Sequence, residues 1–219
     1  MKDNDNEATR KRLSGFSLVE LMIAVAILGI LVAVGVPAFI DWLPDYRLKR
    51  AANDLYSTLQ QARLEAVRFN SSCVVYFDTV AQTYQFLRDP GPNGTWDGGG
   101  DDTAPRPGPD GIYGNADDIP ERPPVSLAGY GSNVAYGHAA ANINATDAGG
   151  GAFPPDEVSF PNNFVEFNSR GMVNGLSGYV YFQNKSNYPA AERSSFAVSA
   201  LTSGRIRLQK WFSSSGNWR

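Results

Sequence analysis

Residues 16–36 form an apolar run of 21 residues interrupted by one charge, Glu20. At about 1.5 Å per residue a helix of that length measures about 32 Å, which matches a bilayer core of about 30 Å. The run therefore reads as one membrane-spanning helix, and the folded body has to be built from the residues beyond it. Glu20 is the exception within it. A carboxylate at mid-bilayer costs about 2.5–3.5 kcal/mol on insertion scales, so it calls for a cationic partner. Residues 16–36 contain no lysine or arginine, so that cation must come from elsewhere.

Before the run stands the basic cluster Arg10-Lys11-Arg12. Cationic flanks stay cytoplasmic, so the chain beyond the span is predicted to cross the membrane. An ordinary cleaved signal has an apolar region of about 7–15 residues and a small-residue cleavage site. The stretch VAVGVPA keeps that alternative open, with a start near Ala38 and an exported soluble product.

Beyond the span, Pro37 and Pro44 are expected to bend the helix or break one turn, since each lacks a backbone donor. From Asp45 to Asn70 a helical period returns: Leu48, Ala52, Leu55, Leu59, Ala62, Ala66 and Phe69 recur at three- and four-residue spacing. Short runs rich in Val, Tyr and Phe come next, bounded by Gly, Asn or Ser. They predict strands at Cys73–Phe77, Thr83–Leu87, Phe164–Phe167, Tyr179–Gln183, Phe196–Leu201 and Arg205–Trp211. Thr202-Ser203-Gly204 reads as the turn of a closing hairpin. One amphipathic helix followed by strands predicts an α+β arrangement, helix on antiparallel sheet.

The opening of the span carries a resemblance. Gly15-Phe16-Ser17-Leu18-Val19-Glu20 resembles the prepilin cleavage motif of type IV pilins and type II secretion pseudopilins. With AANDLYSTLQQARLEAVRFNSSCVVYF, FVEFNSRGMV and FAVSALTSGRIRL, the chain resembles the GspH/FimT branch of minor pilins and pseudopilins over roughly residues 13–88 and 158–211. The resemblance implies a leader at residues 1–15, cut between Gly15 and Phe16 by a prepilin peptidase that also methylates the new N-terminus on Phe16. It implies a long helix over 16–70, with 16–36 in the inner membrane, and a β-rich periplasmic domain over 71–219. It also supplies a cation for Glu20: the N-terminal amine of a neighbouring subunit, met during assembly of a pilus or pseudopilus. Other pilins or pseudopilins are then the partners of the N-terminal helix.

Residues 89–157 depart from that branch as a longer Gly/Pro/Asp-rich insert. It contains an imperfect repeat, PGPNGTWDGGGDD (90–102) against PGPDGIYGNADD (107–118). Clustered carboxylates and amide oxygens on a turning backbone suit Ca²⁺, which takes about six to eight oxygens. The candidate ligands are Asp89, Asn93, Asp97, Asp101, Asp102, Asp110, Asp117 and Asp118. A solvated acidic loop with no cofactor is the other reading.

The basic end of the chain holds a further candidate. Gly204-Arg205-Ile206-Arg207 resembles the GRxR motif associated with DNA uptake in FimT-like minor pilins. On a strand Arg205 and Arg207 share a face, and Lys210, Trp211, Phe212 and Trp218 add charge and stacking surfaces for a DNA contact. Charges guarding an edge strand explain the same residues.

Enzyme chemistry finds no support. The one histidine, His138, stands in a Gly/Ala/Asn-rich stretch, and HExxH, GxSxG and a phosphate loop are absent. A lone Cys73 excludes an internal disulfide, and its place in CVVYF predicts a buried thiol.

Overall fold

A computed structural model describes residues 17–97, 100–139, 141–145, 152–185 and 194–219. The chain divides into two units, Met1–Trp42 and Leu43–Arg219. Helix α1 runs from Leu18 to Phe69. Both Pro37 and Pro44, expected to bend the helix or break one turn, lie within it. Each proline removes one amide donor, and the turns on either side keep theirs. The helix stops at Asn70, which adopts a φ of 51°. There Ser71 N donates back to the Ala66 carbonyl at 3.2 Å, the bond that closes helices ending on a left-handed residue.

In the second unit the strands are β1 (Cys73–Asp78), β2 (Thr83–Leu87), β3 (Val125–Ser126), β4 (Val134–Tyr136), β5 (Phe164–Phe167), β6 (Val173–Asn174), β7 (Gly178–Asn184), β8 (Ser195–Ala200), β9 (Ile206–Phe212) and β10 (Asn217–Trp218). They build two antiparallel sheets rather than one, ordered β3-β2-β1-β5-β6 and β10-β9-β8-β7-β4. All six predicted strands are present within a residue at each end. Missed were β3, β4, β6 and β10, which are two or three residues long and too short to show alternation. The insert is thus not an appendage, because it supplies β3 to one sheet and β4 to the other.

The predicted helical stripe is the spine of the core. Leu48, Leu55 and Leu59 are fully buried with Ala51, Ala52, Ala62 and Ala66. The alanines let Cys73, Val75 and Phe77 of β1, Val165 and Phe167 of β5, and Val180, Phe182, Val198 and Ala200 of β7 and β8 join them in one cluster. Burying each large apolar side chain contributes about 1.5–3 kcal/mol. An ionic clamp holds the helix to the end of β2. Glu65 is 2.5 Å from Arg88 and 3.5 Å from Arg122, with 12% of its own side chain exposed. Gln61 accepts from Arg122 at 2.9 Å beside it.

The second sheet has a small core of its own on its outward face. Tyr179, Tyr181 and Ala197 are buried there with Ala145, and Phe153 and Trp218 pack on them. The His138 ring stacks on Phe153 with centroids 3.7 Å apart, and its Nδ1 meets Glu157 at 2.8 Å.

Candidate functional site

In the first unit, Leu18–Pro37 is the single helical stretch among the described residues long and apolar enough to cross a membrane, and none of it is buried. Leu18, Leu21, Met22, Val25, Leu28 and Leu31 all stand exposed. Water does not tolerate that much bare apolar surface, so lipid or other apolar helices must cover it. Gly29 and Gly35 have open space where a side chain would begin, which leaves room for a neighbouring helix to approach closely. Glu20 sits exposed in the first helical turn, where the unpaired amides of the helix end favour a negative charge. Gly15 and Phe16 lie outside the described residues.

Three of the eight calcium candidates come together. One carboxylate oxygen from each of Asp97, Asp101 and Asp102 lies within 4.8 Å of the others, and Asp102 is 5% exposed. That donor set has the chemistry of a hard divalent cation. The other candidates serve the turns of the repeat. Asp89 Oδ1 accepts from Gly91 N at 3.0 Å and from the Tyr113 hydroxyl. That hydrogen bond to Asp89 pushes the Tyr113 phenol up to about 12. Asn93 Oδ1 accepts from Thr95 N at 2.7 Å, and Asp110 Oδ1 from Ile112 N at 2.9 Å. Asp118 Oδ2 accepts from Gly114 N and Asn115 N, and the Asp117 carboxylate lies over Gly108. A Gly/Pro-rich backbone leaves amides unpaired, and side-chain oxygens two to four residues away satisfy them.

The structure regroups the basic candidates. Lys210 does not join Arg205 and Arg207. Side chains alternate on β9, so Lys210 faces Phe196 while Arg207 stands on the other face opposite Ser199. The Lys210 Nζ lies 5.7 Å from the Phe196 ring centroid, on the sheet's inner side. Arg205 precedes β9, exposed at the hairpin turn closed by Gly204 N to Leu201 O at 2.7 Å. Beside it are two arginines that sequence reading did not single out. Arg63 Nε donates to the Gly171 carbonyl at 3.0 Å. Gly204 packs so closely on that carbonyl that an added Cβ would lie 2.0 Å from it. Arg170 and Arg205 therefore flank a touching pair of turns. Packing across the chain made this group, and only the isolated cations were visible in sequence.

Cys73 is buried as expected, and burial, with the Glu65 charge second, pushes its thiol up to about 11.

A helix that is bare and apolar at its start and amphipathic further on, followed by antiparallel sheets, defines a membrane-anchored subunit of the pilin class. The family described as Type II transport protein GspH matches residues 51–208, and the Prokaryotic N-terminal methylation motif matches residues 10–36. The chain belongs to the GspH family, and is a minor pilin or pseudopilin, a structural subunit rather than an enzyme. Among solved structures, the chain is similar to the minor pseudopilin EpsH from the type 2 secretion system of Vibrio cholerae. That match has 15% identity and a TM-score of 0.41, covering 74% of this chain and 95% of the other. It is also similar to the type IV minor pilin FimU of Pseudomonas aeruginosa, at 13% identity and a TM-score of 0.44, with 80% and 94% covered. A search of curated proteins finds no match.

Proposed function

We propose that the precursor is cut between Gly15 and Phe16, methylated on Phe16, and held in the inner membrane with residues 71–219 in the periplasm. It then enters a type II secretion pseudopilus or a type IV pilus through its N-terminal helix. The observation that carries this reading is the wholly exposed apolar segment Leu18–Pro37 with its one carboxylate, Glu20, in the first turn. Burying that carboxylate among packed helices requires a cation at hydrogen-bond distance. The new Phe16 amine of an adjacent subunit is such a cation. The match to the type II transport family supports the secretion filament as the setting. Intact mass and N-terminal sequence of protein from native membranes test the processing step. A start at Phe16 with one added methyl is expected, and a start near Ala38 overturns the reading.

A second reading has the body bind DNA. Its support is the grouping of Arg205 with Arg63 and Arg170 around the Gly171–Gly204 packing point; the separation of Lys210 from Arg207 narrows the surface. Replacing Arg170 and Arg205 with alanine should then lower the salt dependence of DNA affinity by about one unit of slope for each phosphate no longer bound. An unchanged slope rejects it. Calcium binding, as a third element, would rest on Asp97, Asp101 and Asp102 alone.

A further inference from the structure

Arg47, Lys49 and Arg50 come soon after the apolar segment, and two of these cations line a cavity in the second unit. It is a pocket of about 380 Å³ open to solvent, and its walls include Leu43, Tyr46, Arg47, Arg50, Tyr130 and Gly131. Arg50 lies over the Tyr130 ring, 5.8 Å from its centroid. Its Nε is 3.9 Å from Asp54, an exposed and long ion pair that takes up little of its charge. Arg47 has no ion-pair partner among the described residues. Its side chain crosses Gly131, where a Cβ would stand 3.1 Å from Cδ and 3.2 Å from Nη1. Gly131 has a φ of 145°, so glycine both permits the backbone there and keeps the seat of the guanidinium clear. The other carboxylate of this stretch, Asp45, accepts from Ser194 Oγ at 2.8 Å.

Two planar guanidiniums beside tyrosines and a leucine wall complement a phosphate diester that bears hydrocarbon. We propose that this cavity binds the headgroup phosphate of an anionic phospholipid, drawn from the membrane that holds the apolar helix. Continuity with that helix argues for this occupant. Leu43 lies six residues beyond Pro37, the end of the apolar segment. Six residues reach at most about 22 Å even fully extended, so the cavity stays within reach of headgroups. Between them are Phe39 and Trp42, with ring centroids 6.4 Å apart, aromatic residues of the kind that rest at headgroup level. The site depends on membrane anchoring and not on which filament the subunit enters. It acts on the membrane-resident subunit, before assembly draws the helix out of lipid.

The test uses the full chain in nanodiscs of equal parts phosphatidylglycerol and phosphatidylcholine, transferred to mild detergent, with retained lipid counted by native mass spectrometry. Selective retention of phosphatidylglycerol is expected. Arg47→Ala/Arg50→Ala should lower it about 25-fold, from about fivefold per cation. Arg170→Ala/Arg205→Ala removes the same charge elsewhere and should leave retention unchanged. Excess inorganic phosphate should not displace the lipid. Equal retention of the two lipids, equal loss in both double variants, or release by free phosphate each overturns the site. Should the first double variant melt early, single Arg47→Gln and Arg50→Gln variants carry the test, each with an expected loss of about fivefold.

Discussion

Arg63 donates through Nε to the carbonyl oxygen of Gly171 at 3.0 Å, joining residues 108 apart in the chain. The same carbonyl is what Gly204 packs against, and Gly171 and Gly204 have φ of 72° and 78°. Helix, β5–β6 turn and β8–β9 turn thus meet at one point, and Val173 N adds a bond to Thr202 O at 3.2 Å. The glycine of Gly204-Arg205-Ile206-Arg207 has a structural reason that needs no nucleic acid. Gly204→Ala is expected to destabilise the body by more than about 2 kcal/mol, from the clash together with strain at positive φ. Arg63→Ala should cost about 1 kcal/mol, the usual worth of one hydrogen bond. Urea denaturation checks both.

Glu20→Ala should leave the melting temperature of the body unchanged, because Glu20 is exposed and outside the core. Incorporation into filaments should fall more than tenfold, since removing one member of a buried charge pair costs about 2–5 kcal/mol. Comparing sheared filaments with membranes measures the split. Equal incorporation would show that the carboxylate has no assembly partner.

Glu65 links α1 to Arg88 and Arg122, and the Arg88 side chain is only 21% exposed. Glu65→Ala leaves that guanidinium in a partly desolvated place without its carboxylate, at an expected cost of about 2 kcal/mol. Glu65→Gln keeps the acceptor oxygen and should lose less. Denaturant midpoints at low and high salt distinguish a buried pair from a screened surface one.

The Cys73 thiol, raised from 9.0 to about 11, stays protonated at neutral pH. A thiol reagent at pH 8 should not react with the native protein and should titrate one thiol after unfolding. Because the folded value is the higher, its share of stability is present below pH 9 and lost as pH rises from 9 to about 11. Cys73→Ala should therefore lose less stability than the parent protein across that window.

If Asp97, Asp101 and Asp102 hold calcium, millimolar calcium should raise the melting temperature by a few degrees, the gain of about 1 kcal/mol given by a site of extracellular affinity, and a solvated acidic loop should show no rise. Asp101→Asn should abolish the rise and Asp117→Asn should not, because Asp117 lies over Gly108 away from the three-carboxylate group. No difference between calcium and chelator retires the site.

Much of the fold could be read locally. The helical stripe from Leu48 to Ala66 and the six longer strands arise from side-chain periodicity, which depends only on neighbours a few residues away. The apolar run and Glu20 are legible for the same reason: a span is a matter of length and composition. Strands of two or three residues, such as β3 and β10, carry no period and exist because a neighbouring strand offers its free amides. The acidic repeat could be seen in sequence, but only folding separated Asp97, Asp101 and Asp102 from acids tied up in their own turns. Lys210 and Arg207 stand three residues apart on β9, so strand alternation puts them on opposite faces, and pairing with β8 decided that the Lys210 face is the inner one. Sequence by itself determined the anchor, the helix and most of the strands, because these arise from interactions within a short stretch. The packing of Gly171 against Gly204, the cavity between Arg47 and Tyr130, and the grouping of charges were decided by the tertiary structure, since each joins residues that only packing brings together.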